Sequence, residues 1–361
     1  MTIEVIEFPK THRGNDPADH PDDEGYHQEF KERVNEAGKE RDWRRQIVKF
    51  RVTDAQVADI EAIRPIWMRL VFHQQYHVWV APPNGGKTTI ANRAAADMTR
   101  AGFTVWYINL DAGAAQLKEY YALAAAGGFN LIAPLASGST EDEIIALIDQ
   151  MAADADLTGD VLILDTLKKF TDVVSKSSSK VFYRKLRALT RAGCTVIALA
   201  HTNKHNDASG ELIYEGTGDL KADSDNVMYL YPLKDPVTGT LTVSTKFAKE
   251  RATVENVTFS ITPDRQVTVA GEYLDAQAEA YRRKQEAEDQ PVIDWIRGRL
   301  EIGPANQSAL IEELKQSMRI GWRSASRILR LYAGKHWHSE RAVCNNERRF
   351  YPAPGGKSEN R

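Results

Sequence analysis

The apolar run His77-Val-Trp-Val-Ala81 leads without a break into Pro82-Pro-Asn-Gly-Gly-Lys87-Thr88-Thr89, and the next residues repeat apolar positions at Ile90, Ala91, Ala94, Ala95 and Met98. A strand, a glycine turn and an amphipathic helix in immediate succession leave few folds open. The backbone N–H groups of the turn and of the first helical turn converge on one point and form a nest for an anion. The spacing fits the phosphate-loop pattern G-x-x-x-x-G-K-[ST], with Ala81 in place of the first glycine at the strand end. Pro83, Asn84, Gly85, Gly86, Lys87, Thr88 and Thr89 are therefore candidate nucleotide-binding residues. Lys87 is suited to neutralising the β- and γ-phosphates of ATP, and the Thr88 hydroxyl to ligating Mg²⁺.

Further apolar runs follow at 104–110, 161–165, 195–201 and 226–231, with helix-length segments between the first of them, and then LTVSTKF, NVTFSI and QVTVAG in close succession. The runs are too continuous for strands with one face in water. They predict an α/β core: a mostly parallel sheet covered by helices on both faces, with an antiparallel, β-rich end. In such a sheet the chemistry gathers at the carboxyl ends of the strands. Asp165, which closes the run VLILD, is then the acid that holds Mg²⁺ beside the phosphate loop. Asp111 is the candidate for orienting or deprotonating the attacking water, with Glu119 as the alternative, although Asp-Ala-Gly also reads as a turn or helix cap. His201, at the end of TVIALAH, is either a sensor of the γ-phosphate or a satisfied loop histidine.

Charge divides the chain. Its 361 residues carry a net charge of −3, but from Pro291 onward 13 Lys/Arg face 7 Asp/Glu, giving +6 there and −9 for the rest (−3 − 6). A basic tail on an acidic body points to a polyanionic partner. Cys194 and Cys344 lie too far apart in sequence for a CxxC pair, so neither a disulfide framework nor a structural zinc is expected. With no export signal or membrane-spanning run, the reading is a cytoplasmic protein.

The expected organisation is an N-terminal segment and charged arm over 1–50, an ATPase domain over 51–274, a helical linker over 275–290 and a basic module over 291–361. Residues 9–25 read as disordered; Tyr26 to Lys49 reads as a helix that is either solvated or a docking arm for a neighbouring subunit. The linker is polar all round, a pattern expected of a solvated helix, and Pro291 opens a new apolar pattern. SKSSSK (175–180) reads as a loop. In the basic module Arg323, Arg327 and Arg330 fall within about 60° of one another on a helix, opposite Ala325, Ile328, Leu329 and Tyr332. With a two-stranded wing from HWHSERAVCNNERRFYP, this predicts a winged helix that binds DNA or, failing that, docks protein.

APPNGGKTT, VLILDTLKKF, VIALAHTNK and EGTGDLKADSDNVMYLY together resemble RecA-fold hexameric ATPases, and within them the RepA-type and DnaB-type replicative helicases, over residues 77–261. The resemblance implies a RecA-like P-loop NTPase core, a homo-oligomeric ring with hexamers favoured, and nucleotide at each interface. It implies Lys87 and Thr88 as phosphate and magnesium ligands, Asp165 as the Walker B acid, His201 as sensor, and Lys249 and Arg251 as cationic fingers for the neighbouring subunit. It implies two DNA-contacting loops that bring Lys176, Lys180, Lys204 and His205. The family usually carries Glu where this chain has Asp111, one methylene shorter, and the first 50 residues are too short for a collar or primase domain. The expected function is an ATP-driven motor on single-stranded DNA, a helicase of a plasmid, phage or integrated element. The alternative is a DNA-binding ATPase switch, such as a loader or partition ATPase, that does not unwind. A small-molecule kinase would leave the basic module unexplained.

Overall fold

The computed structural model describes residues 24–58, 62–153, 156–203, 212–216, 219–341 and 348–353. The expectation of disorder over 9–25 therefore falls almost wholly outside the described residues. The chain divides into two units, Met1–Ala62 and Ile63–Arg361. The first contains helices α1 (Glu24–Val48) and α2 (Asp54–Ala58), with Trp43 and Ile47 exposed on α1.

The second unit opens with the hairpin β1 (Pro65–Trp67) and β2 (Val71–Phe72), then β3 (Tyr76–Ala81), α3 (Lys87–Arg100) and β4 (Thr104–Asn109). It continues through α4 (Ala114–Gly127), β5 (Asn130–Ile132), α5 (Pro134–Ser137), α6 (Glu141–Ala152), β6 (Asp160–Asp165), α7 (Lys176–Arg191) and β7 (Thr195–His201). After α8 (Asp219–Asp223) come β8 (Asn226–Lys234), β9 (Leu241–Lys249), β10 (Thr258–Ile261) and β11 (Val267–Val269). These strands form one sheet in the order β11-β10-β9-β8-β3-β7-β6-β4-β5. From β8 to β5 neighbours are parallel, and from β8 to β11 they are antiparallel. The expected parallel core with a β-rich end is present.

Side-chain alternation sorts the core into two layers. Trp79, Ile163, Ile197 and Leu199 pack with Ile90, Ala94 and Met98 of α3 on one face. Val78, Leu162, Leu164 and Val196 pack with Ile144 and Ile148 of α6 and Phe182, Leu186 and Leu189 of α7 on the other. Burial on both faces is why the strand sequences carry no polar alternation. It also holds the strand ends, and the site upon them, on a rigid base.

Three expectations need correction. SKSSSK is not a loop: Ser175 is the N-cap of α7, its hydroxyl accepting the Ser178 N–H at 3.4 Å, and Lys176 opens the helix. Serines suit this position because their hydroxyls satisfy first-turn N–H groups. The linker and the basic module are not separated at Pro291 either, because α9 (Ala276–Ile302) runs through it without interruption. An interior proline forfeits about 3 kcal/mol in a helix. Burial of Val292, Ile293, Ile296 and Leu300, at roughly 1.5–3 kcal/mol each, outweighs that loss. The linker half is not solvated all round: it packs on β8 and β9, and the Ala276 N–H donates to Ser244 Oγ at 3.0 Å.

Beyond α9 lie β12 (Ala305–Asn306), α10 (Gln307–Met318), α11 (Trp322–Leu331) and the hairpin β13 (Trp337–Arg341) and β14 (Arg348–Pro352), with sheet order β12-β14-β13. Helix, strand, two helices and a hairpin follow one another in this carboxy-terminal module. Its core holds Leu310, Ile311, Leu314, Ile328, Leu329, Trp337 and Phe350. Among the described residues no helix is long and apolar enough to cross a membrane.

Candidate active site

The ends of four neighbouring parallel strands define the site. Ala81 of β3 stands opposite His201 of β7, and Asp165 of β6 is opposite both Asn109 of β4 and Leu199 of β7. From Ala81 the chain makes a tight turn, with the Gly85 N–H donating to the Pro82 carbonyl at 3.0 Å. Pro83 and Asn84 are exposed on it, Gly85 is buried and Thr89 is half-buried. Asn84 (φ 58°) and Gly86 (φ 82°) adopt left-handed backbone, and α3 starts at Lys87 with no side chain capping its N–H groups. Uncapped N–H groups and the positive end of the helix dipole fit an anion. Gly86 is fixed by its φ, and a Cβ there would also lie 2.6 Å from Ile261 Cδ1, whose side-chain end would have to shift. Gly86→Ala is expected to raise the dissociation constant for nucleotide more than tenfold, from a strain of roughly 1–2 kcal/mol in left-handed backbone plus the overlap with Ile261. Fluorescent-nucleotide titration checks this.

Lys87 is buried beneath the turn, its Nζ donating to the Ala200 carbonyl at 3.1 Å and lying 3.4 Å from His201 Nδ1. Burial pulls its pKa down to about 8, while Asp165, Asp111 and Glu215 act to keep it charged. The Thr88 hydroxyl donates to Asp165 Oδ2 at 2.9 Å, and the Tyr107 hydroxyl donates to the same oxygen at 2.9 Å. Burial pushes the Asp165 carboxyl above its ordinary value, against Lys87, Tyr107 and Thr88, which hold it down. A desolvated carboxylate beside a hydroxyl is a donor set for a hard divalent cation such as Mg²⁺, which takes oxygen ligands. The phosphate loop and the acid, far apart in sequence, meet here.

Asp111 is exposed just past β4, where the Asn109 side chain accepts the N–H groups of Asp111 and Ala112 at 3.0 and 2.9 Å. Its charge acts on Lys87, Asp165 and His201 together, so it belongs to the cluster. Glu119 is paired with Arg265 at 2.8 Å, from the turn between β10 and β11. Burial, then Lys87 and Lys168, lower the His201 pKa to about 4, which leaves a neutral imidazole at pH 7. Four members of the cluster were not anticipated from sequence: Tyr107, Asn109, Lys168 and Glu215. Tyr107 and Asn109 had a readable signal, since they end the strand next to Asp165. Glu215 reaches the site because its segment pairs with the end of β7, its N–H donating to the His201 carbonyl at 2.9 Å, a pairing with no local signature.

The other candidate residues lie apart from this cluster. Lys249 and Arg251 are at the opposite end of the strands, where Lys249 is opposite Val227 near the start of β8. Lys249 Nζ donates to the carbonyls of Lys221, Ala222 and Ser224 at 2.7, 2.9 and 2.6 Å, closing the end of α8. Arg251 pairs with Asp225 at 3.0 Å, and Arg187 pairs with the same carboxylate at 2.6 Å. Lys176 and Lys180 are exposed one turn apart at the start of α7, whereas Lys204 and His205 lie outside the described residues. The basic face expected on α11 is partly engaged: Arg327 donates to Asp289 at 2.7 Å, and Arg330 to Ser326 Oγ at 3.0 Å. Arg323 has no such partner among the described residues.

The strand order, the phosphate loop between β3 and α3, and Asp165 at the end of β6, across β7 from that loop, define a RecA-like P-loop ATPase core. The model of the family described as AAA domain matches residues 44–207, a span that holds Lys87, Asp111, Asp165 and His201. Among solved structures, the flagellar accessory protein FlaH from Methanocaldococcus jannaschii is similar at 14% identity, over 55% of this chain and 91% of that one, with a TM-score of 0.39. No curated protein matches the sequence.

Proposed function

We propose that the chain is an ATP-hydrolysing DNA motor, a ring-forming helicase that moves on single-stranded DNA. The observation that carries the reading is the continuity between Asp165 and the start of α7. The strand end that bears the Walker B acid leads within eleven residues to Lys176, with Lys180 a turn further on, both exposed beside a helix N-terminus. Backbone N–H groups, hydroxyls and lysines in that arrangement suit the phosphates of a nucleic acid.

In this reading the loop N–H groups and Lys87 hold the phosphates of ATP, Thr88 and Asp165 hold Mg²⁺, and Asp111 positions the attacking water. Bound Mg²⁺ supplies Lewis-acid stabilisation of charge on the phosphoryl oxygens. Neutral His201, hydrogen-bonding distance from Lys87, is placed to register whether the terminal phosphate is present. Lys249, engaged with three carbonyls, is better suited to shaping the surface around Arg251, which serves as the finger for a neighbouring subunit by exchanging its ion pair with Asp225 for the phosphate. The engagement of Lys249, Arg327 and Arg330 within the chain also favours the second reading, a DNA-binding ATPase switch that does not unwind. Strand displacement on forked DNA separates the two.

Replacing Lys176 and Lys180 together by alanine is expected to abolish stimulation of the ATPase by single-stranded DNA while leaving the unstimulated rate unchanged. Arg323→Ala is expected to weaken DNA binding and reduce the slope of log K against log salt by about 0.9 on duplex DNA or about 0.7 on single strands. Arg327→Ala instead lowers the melting temperature, because it leaves Asp289 without its cation. Filter binding across a salt series, with a melt of each variant, checks these outcomes.

A further inference from the structure

We propose that Lys168 is a second phosphate-binding cation of the site, supplied by the same chain and directed at the terminal phosphate of ATP. This rests on the reading of the site as an ATP site. Directly after Asp165 the chain is pinned by the Thr166 hydroxyl, which donates to the Leu199 carbonyl at 3.0 Å, and by fully buried Leu167. A tight 3-10 turn over Leu167–Lys169 follows, with the Lys169 N–H donating to Thr166 O at 2.9 Å and the Phe170 N–H to Leu167 O at 3.0 Å. Phe170 closes the turn, buried against Phe182 with ring centroids 6.0 Å apart. The backbone of Lys168 is therefore held from both sides, against the strand that carries His201.

Successive residues of a 3-10 turn diverge by about 120°. Lys168 and Lys169 are both exposed, and the charge of Lys168 opposes protonation of both Lys87 and His201. No carboxylate among the described residues is ion-paired with it. The acid nearest in sequence, Asp165, is already bonded to Thr88 and Tyr107. Lys87 and Lys168 repel one another; Asp165, Asp111 and Glu215 offset part of this at Lys87, and an anion between the two ammonium groups makes the arrangement more favourable still. A terminal phosphate, held on one side by the loop and Lys87, supplies that charge.

The test is equilibrium binding of ADP and of the non-hydrolysable analogue AMP-PNP, each with Mg²⁺, to the full chain and to the Lys168→Ala, Lys168→Arg and Lys169→Ala variants. Melting curves confirm that each variant is folded. Lys168→Ala is expected to weaken AMP-PNP binding about tenfold, the scale of one charge-assisted hydrogen bond, and to change ADP binding by less than about twofold. Lys168→Arg should recover part of the loss, and Lys169→Ala should bind both nucleotides as the parent does. The proposal is overturned if folded Lys168→Ala binds both nucleotides with parental affinity, or loses affinity for both equally. A parent chain that binds neither nucleotide overturns the ATP reading itself, and the proposal with it.

Discussion

Lys87→Ala is expected to reduce ATP turnover about a thousandfold, the scale seen when one preorganised charge stabilising the transition state is removed. The fold should survive. The ammonium is buried and its principal direct partner is one carbonyl, that of Ala200. Relief from burying a cation offsets the loss of that bond, so stability should change by no more than about 1 kcal/mol at neutral pH. The pH dependence of stability gives a second signature. The Lys87 pKa is about 8 in the folded chain against an ordinary 10.5, so between these values the unfolded chain binds more protons and the parent's stability rises with pH. Below about pH 8 both states are protonated and the contribution is flat. The alanine variant should lack this rise, as read by chemical denaturation at pH 7.5 and 10. Parental phosphate release by a folded variant would contradict the assignment.

Trp337→Ala should destabilise the carboxy-terminal module by about 3–5 kcal/mol, the loss expected on emptying a buried indole site. Trp337 is fully buried, its N–H donates to the Leu329 carbonyl at 2.9 Å, and its ring meets Tyr332 edge-on at 6.4 Å. Truncation leaves a cavity where α11 meets β13 and removes the donor at the end of that helix. A loss of this size approaches the whole stability of a small core. Amide exchange should then show β13, β14 and α11 opening while the main sheet stays protected. Uniform exchange across both would mean that module and sheet unfold as one unit through α9.

The fold was legible where periodicity was strong. Continuous runs such as VLILD carry their double-sided burial in their composition, and the phosphate loop is a local pattern whose meaning depends only on its neighbours. What escaped the sequence was pairing. Nothing in SKSSSK distinguishes a loop from a capped helix start until Ser175 is seen to accept the Ser178 N–H. Pro291 reads as a boundary because proline is costly inside a helix, yet apolar residues on its C-terminal side hold α9 intact. The arginines of α11 fell on one face as the 100° spacing requires. That Arg327 would meet Asp289, 38 residues earlier, is a tertiary fact. The same holds for the active site: Asp165 was readable as a strand-end acid, but its contacts with Thr88 and Tyr107 come from strand order, which the sequence leaves open.

The central claim, that this core couples ATP hydrolysis at Lys87 and Asp165 to DNA, is tested most directly by steady-state phosphate release from the full chain with Mg²⁺ and ATP, with and without single-stranded DNA. The account predicts release that depends on Lys87 and accelerates when DNA is added. Release that is absent under both conditions, or that ignores DNA at saturating concentration, would contradict it.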